Sequence, residues 1–239
     1  MELASVTLEL LDPVHSMGID VLHSLETTLL RRACHPGETD WFVSHSRGDD
    51  PVRKLASLQH CAGEFEARTG RPPTLWFDQV CVHPAYKEDS LKCLPIYIQS
   101  CRAVLVLCSP TYFTRLWCVW ELYTVFAFSE GDPSLVITML RDSDSGSPES
   151  ADNQLRDRLA NFSIADAHCF DPNEERKLRR AIDMAPGGTS AFQAMIRGLA
   201  ARITSSTSLL QSGIGDLELA PASAAAAAMV VTQQSQTQV

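Results

Sequence analysis

Between residues 40 and 202, short apolar runs alternate with longer segments whose apolar residues recur every three or four positions. Runs of the first kind, at residues 40–46 (DWFVSHS), 74–77, 103–108, 135–140 and near 165–170, read as strands. AVLVLC at 103–108 is apolar without interruption, as in a strand covered on both faces. The second kind predicts helices over 52–68, 91–100 with Pro95 near its start, 153–161, 173–184 and 190–204, besides one following Ser109–Pro110. Strands alternating with helices imply right-handed β-α-β units on a parallel sheet. The expected architecture is therefore a flavodoxin-like three-layer α/β/α sandwich with a parallel sheet of about five strands.

The flanks differ in texture. Residues 1–37 place Val21, Leu22, Leu25, Leu29 and Leu30 at mixed helical spacing, broken at Asp12–Pro13 and stopped at Pro36–Gly37. They predict a helical N-terminal extension, with the α/β domain over 38–204. Residues 205–239 are rich in Ser, Ala, Gln and Thr and include a run of five alanines, a composition too biased to add to a core. They are expected to form a disordered tail.

One segment stands out. From Ser109 to Phe128 the chain reads SPTYFTRLWCVWELYTVFAF, in which Leu116, Val119, Trp120, Tyr123, Phe126 and Ala127 form a helical stripe. Cys118, Leu122 and Val125 lie off that stripe and are apolar too, so the helix is expected to be largely enclosed. Arg115 and Glu121 alone interrupt it. An ionised carboxylate in such surroundings is costly without a partner or a task. Trp117, four residues before Glu121, sets an aromatic ring beside it on the helix.

Composition narrows the function. The 239 residues carry a formal charge of −9 with no dense Lys/Arg stripe, which argues against nucleic acid as the main partner. The eight cysteines include no C-x-x-C pair, and Cys81 with His83 has no second pair at zinc-finger distance. Reduced thiols and no metal site are expected. No leader pattern and no apolar run of the ~18 residues a membrane span needs are found, which predicts a soluble cytoplasmic protein. The glycine patterns of dinucleotide and P-loop sites and the G-x-S-x-G elbow are missing.

Two stretches carry a family resemblance. Asp40–Ser46 followed by Arg47-Gly48-Asp49-Asp50 resembles the first strand and loop of Toll/interleukin-1 receptor (TIR) domains of plant and bacterial type. Ser109, Tyr112, Trp117, Cys118, Glu121 and Leu122 are similar, in type and spacing, to the S-x-x-Y and W-C-x-x-E-L pattern of the plant-type domains. The likeness covers roughly residues 39–202 and weakens after 140.

The resemblance implies cleavage of the bond between nicotinamide and ribose in NAD, with Glu121 matching the catalytic glutamate and NAD serving as substrate, not as a resident cofactor. It also implies homotypic TIR–TIR self-association in signalling, as in innate immunity. Motif position puts Ser46, Arg47 and Gly48 near phosphates or adenine, Phe77 near a ring, and Trp117 at the nicotinamide pocket. Glu121 is then expected to open onto the same cleft as Ser46 and Phe77. Read from the residues alone, Glu121 is equally a helix-surface glutamate paired with Arg115 or Arg102, Asp49 a helix cap, and Asp78 the end of its strand. One departure stands: family loops after the second strand commonly carry a glycine, whereas residues 80–90 have none. Two function classes fit, a TIR-type NAD glycohydrolase and a non-catalytic TIR-like adaptor, and they share the fold.

Overall fold

Successive side chains of the central strands point to opposite sides of the sheet, and both sides are apolar because helices cover both. The computed structural model describes residues 4–7, 32–82, 92–128, 135–140 and 148–203. In chain order the elements are β1 (Ala4–Thr7), β2 (Arg32–Ala33), β3 (Thr39–His45), α1 (Pro51–Thr69), β4 (Thr74–Trp76), the single turn α2 (Asp78–Cys81), α3 (Leu94–Ser100) and β5 (Cys101–Cys108). A 3-10 turn at Tyr112–Thr114 then leads into α4 (Leu116–Phe128), β6 (Leu135–Met139), α5 (Pro148–Ala160), a second 3-10 turn at Ile164–Asp166, α6 (Pro172–Met184) and α7 (Gly188–Ile203).

The sheet order is β2-β1-β4-β3-β5-β6. Strands β4, β3, β5 and β6 are parallel, with Trp41 opposite Leu75 and Ala103, and Leu105 opposite Val136. Trp41, Val43, Leu75, Leu105 and Leu107 face α1 and pack with Leu58, Cys61 and Phe65. Phe42, Trp76, Val104, Val106 and Cys108 face the other layer, made by α3 to α7. These two cores make the α/β/α sandwich. Aromatic stacking adds shape to it: Phe42 lies on Trp76 at 4.7 Å between ring centres, and Trp76 on Tyr97 at 5.0 Å.

Asp40, at the amino end of β3, is a structural residue. It is 2 % exposed and accepts from Arg71 at 2.7 and 2.8 Å and from the Thr74 backbone N–H at 2.8 Å. Burial alone would raise its carboxyl, but the Arg71 and Thr74 hydrogen bonds outweigh that and hold it below the ordinary value.

Two expectations are corrected. The strand near 165–170 does not join the sheet, which has four parallel strands. Ile164–Asp166 is a 3-10 turn, and His168 forms a single parallel bridge to Arg115. Its backbone bonds go to Thr114 O and the Leu116 N–H at the start of α4, so none is left for a sheet edge. The second correction concerns residues 1–37. Ala4–Thr7 and Arg32–Ala33 are antiparallel strands, with Val6 opposite Leu75 and Ala4 opposite Ala33. The three-residue β4 would otherwise end the sheet with unpaired backbone groups. The leucines that suggested helices, at 22–30, lie outside the described residues, as do the expected tail over 205–239 and most of the glycine-free loop, 83–90. No described helix is long and apolar enough to cross a membrane.

Candidate functional site

β3 ends in Ser44-His45 and is followed by Ser46, three polar residues at the carboxyl rim where the connecting loops gather. Alternation sends the two serines toward α4 and the histidine toward α1. The Ser44 hydroxyl lies 2.6 Å from the Tyr112 hydroxyl and donates to Glu121 Oε2 at 2.5 Å. Tyr112 in turn donates to the carbonyl of Cys118 at 3.2 Å. The turn at Ser109–Pro110 delivers Tyr112 to this point, and α4 delivers Glu121 one and a half turns from its start.

Glu121 is half-buried. Burial pushes its carboxyl up to about 8; the Ser44 hydrogen bond and Arg47 pull it down, while the nearby negative charge of Asp78 adds to the rise. The protonated acid satisfies all three contacts: it donates to Ser44, Ser44 to Tyr112 and Tyr112 to Cys118 O, whereas in the ionised form Ser44 donates to Glu121 and the Tyr112 proton serves either Ser44 or Cys118 O. Among the described residues no cation comes within 4.0 Å of Glu121. The expected alternative partners are occupied elsewhere. The Arg115 guanidinium lies 3.4 Å over the Phe170 ring, and Arg102 donates to Gly37 O at 2.7 Å beside Asp40.

A second polar group stands at the end of β4. Asp78 Oδ1 bonds His45 Nε2 at 2.9 Å, and Asp78 Oδ2 accepts from Arg47 Nη2 at 2.6 Å and Nε at 3.0 Å. Lys54 Nζ, a donor only, lies 3.5 Å from His45 Nδ1, which leaves the ring proton on Nε2 for Asp78. Burial would raise the Asp78 carboxyl, yet His45 and Arg47 reverse this and hold it well below the carboxylate range. Arg47 is pushed up first by Asp78, with burial opposing and Glu121 and Glu174 adding to the rise.

The rim thus brings Glu121, Arg47 and, one helical turn before Glu121, Trp117 into one neighbourhood. Of the other expected contacts, Phe77 lies outside it. Phe77 is 8 % exposed and lies 4.9 Å from the His45 ring on the α1 side of the sheet, so it faces away from Glu121. The single-residue alternation after Trp76 puts it there. Ser46 is buried, and its hydroxyl lies 3.1 Å from the Thr111 hydroxyl. Gly48 is an exposed loop residue where an added Cβ meets nothing within 4 Å. Asp49 is not the cap of α1: it accepts from Thr111 Oγ1 at 2.6 Å, and Asp50 caps through Val52 N at 2.8 Å.

Three groups at this rim escaped the sequence reading. Ser44 shares the parity of Ser46, and that was the available signal for its direction. Asp78 is tied to His45 and Arg47 through tertiary contacts rather than serving its own turn. Glu174, which accepts from Trp117 Nε1 at 2.9 Å, is 57 positions away with no local mark. No family model matches the chain, and no curated protein matches it significantly.

Proposed function

We propose that this chain is a TIR-type NAD glycohydrolase that signals when copies self-associate in the cytoplasm, with Glu121 acting on the bond between nicotinamide and ribose. The observation that carries this reading is the Glu121 carboxyl: half-buried at the carboxyl rim, hydrogen-bonded by Ser44, and without a cation within 4.0 Å among the described residues. A glutamate kept for structure alone is expected to be paired, because an uncompensated buried carboxylate is destabilising.

The chemistry follows from the charge flow. As the glycosidic bond breaks, its electron pair passes to the pyridinium nitrogen, which leaves as neutral nicotinamide, and positive charge develops on the ribose. Ionised Glu121 opposes that charge. Water then adds to the ribose carbon and gives up a proton, for which Glu121 is the nearby acceptor. Arg47 is suited to the diphosphate and Trp117 to the nicotinamide ring.

The adaptor reading draws on a different observation. Asp78 already engages two guanidinium nitrogens of Arg47, and Phe77 faces the other side of the sheet. Incubation of the purified chain with NAD separates the two. Nicotinamide release is expected, with a loss of at least about a hundredfold in Glu121→Ala. No release at high protein concentration, or release equal in the variant, leaves the adaptor.

A further inference from the structure

Trp117 does not sit loosely beside Glu121. Its indole N–H donates to Glu174 Oε2 in the first turn of α6. That turn is itself anchored. Asp171 accepts from Asn173 N at 2.8 Å, Pro172 occupies the first helical position, and Glu175 accepts from Cys169 N at 3.0 Å and from Arg179 Nε at 2.9 Å. The residues just before it are bonded to the start of α4: His168 N donates to Thr114 O at 2.9 Å, and Leu116 N donates to His168 O at 3.1 Å. Arg115 stacked under Phe170 makes a third tie. Glu174 and Trp117 are therefore held in register by backbone and side-chain bonds on both sides of their contact.

The contact has an electrostatic consequence. An indole that gives its N–H to a carboxylate becomes richer in electron density, and the electron-rich face of tryptophan is the best aromatic partner for a cation. Three carboxylates, Asp78, Glu121 and Glu174, also act on the single Arg47 guanidinium. We propose that Glu174 is a positioning and specificity residue: it fixes the Trp117 ring as a wall of the site and biases the site toward a positively charged aromatic ring, a pyridinium, over the neutral dihydropyridine. This rests on the NAD reading above and adds to it a basis for preferring the oxidised form of the substrate.

The test uses the full chain with two probes, the N-methylnicotinamide cation and neutral 1-methyl-1,4-dihydronicotinamide, their affinities measured by calorimetry. The parent protein is expected to prefer the cation by about tenfold, the scale of a desolvated cation on tryptophan. Glu174→Gln still accepts from the indole N–H but carries no charge. It should keep the ring in place and lose most of that preference, while Glu174→Ala weakens both probes. In NAD turnover, Glu174→Gln should raise KM by several-fold with kcat within about threefold, a split that general destabilisation does not produce. No preference in the parent protein, or a preference unchanged in Glu174→Gln, overturns the proposal whatever the turnover result. A parent protein that prefers the cation yet releases no nicotinamide overturns the glycohydrolase reading alone. If Glu174→Ala does not fold, the Gln variant decides.

Discussion

Ser44, at the carboxyl end of the central strand, donates a 2.5 Å hydrogen bond to Glu121 on the helix after the next-door strand. This contact joins the two stretches that carry the family resemblance. Burial is what raises the carboxyl, and this bond limits the rise, because a donor to the ionised form favours ionisation.

Removing that donor has a predictable direction. Ser44→Ala should raise the Glu121 carboxyl further above about 8. If ionised Glu121 is the working form, nicotinamide release in the parent protein increases as pH rises through that value. In the variant the rising limb should move to higher pH by about one unit, with about a tenfold lower rate near neutrality. A pH series of nicotinamide release on the two proteins reads this, and a limb that stays in place contradicts it.

Glu121 should also weaken the fold as pH rises. Its carboxyl is raised from 4.5 to about 8, so the folded form retains a proton that the unfolded chain gives up. Its contribution to stability is highest below about 4.5, declines between there and about 8, and levels above. Glu121→Gln lacks this decline. Urea unfolding should show the variant gaining on the parent protein by about 1–2 kcal/mol between pH 5 and pH 8.5, below the ceiling of about 1.4 kcal/mol per pK unit because the group is only half-buried.

Asp78 acts with the opposite sign. Its carboxyl is held well below its ordinary 3.8, so its stabilisation is whole above that value and fades as pH falls below it. Asp78→Asn is expected to cost about 1–3 kcal/mol at neutral pH, by loosening His45 and Arg47, and to converge with the parent protein in strong acid. Denaturant midpoints at the two conditions give the comparison. An equal cost at both would mean that the charge is not what matters.

Gly187 tests the packing between α6 and α7. Its φ is +78°, and a Cβ there would meet the Ala191 Cβ at 2.5 Å. Gly187→Ala should destabilise by about 1–3 kcal/mol, through both the left-handed backbone and the clash. Gly48→Ala, in open space, should change the melting temperature little. Thermal unfolding of both variants checks the contrast.

Much of the architecture was legible along the chain because burial imposes local periodicity. The short apolar run at residues 40–46 and the unbroken run at 103–108 told of strands, the second covered on both faces, and Trp41 and Phe42 do face opposite cores. The isolation of Glu121 in an apolar helix marked it before any contact was known. Other features depend on which distant segments meet. The chain could not show that β1 closes the edge beside β4, that His168 spends its backbone bonds on α4, or that Phe77 turns toward His45. The same holds for the partners of the site: Ser44 lies 77 positions from Glu121, and Trp117 lies 57 from Glu174. Periodicity records which face of an element is buried. The group that meets a given side chain there is decided only when the loops close and the layers pack.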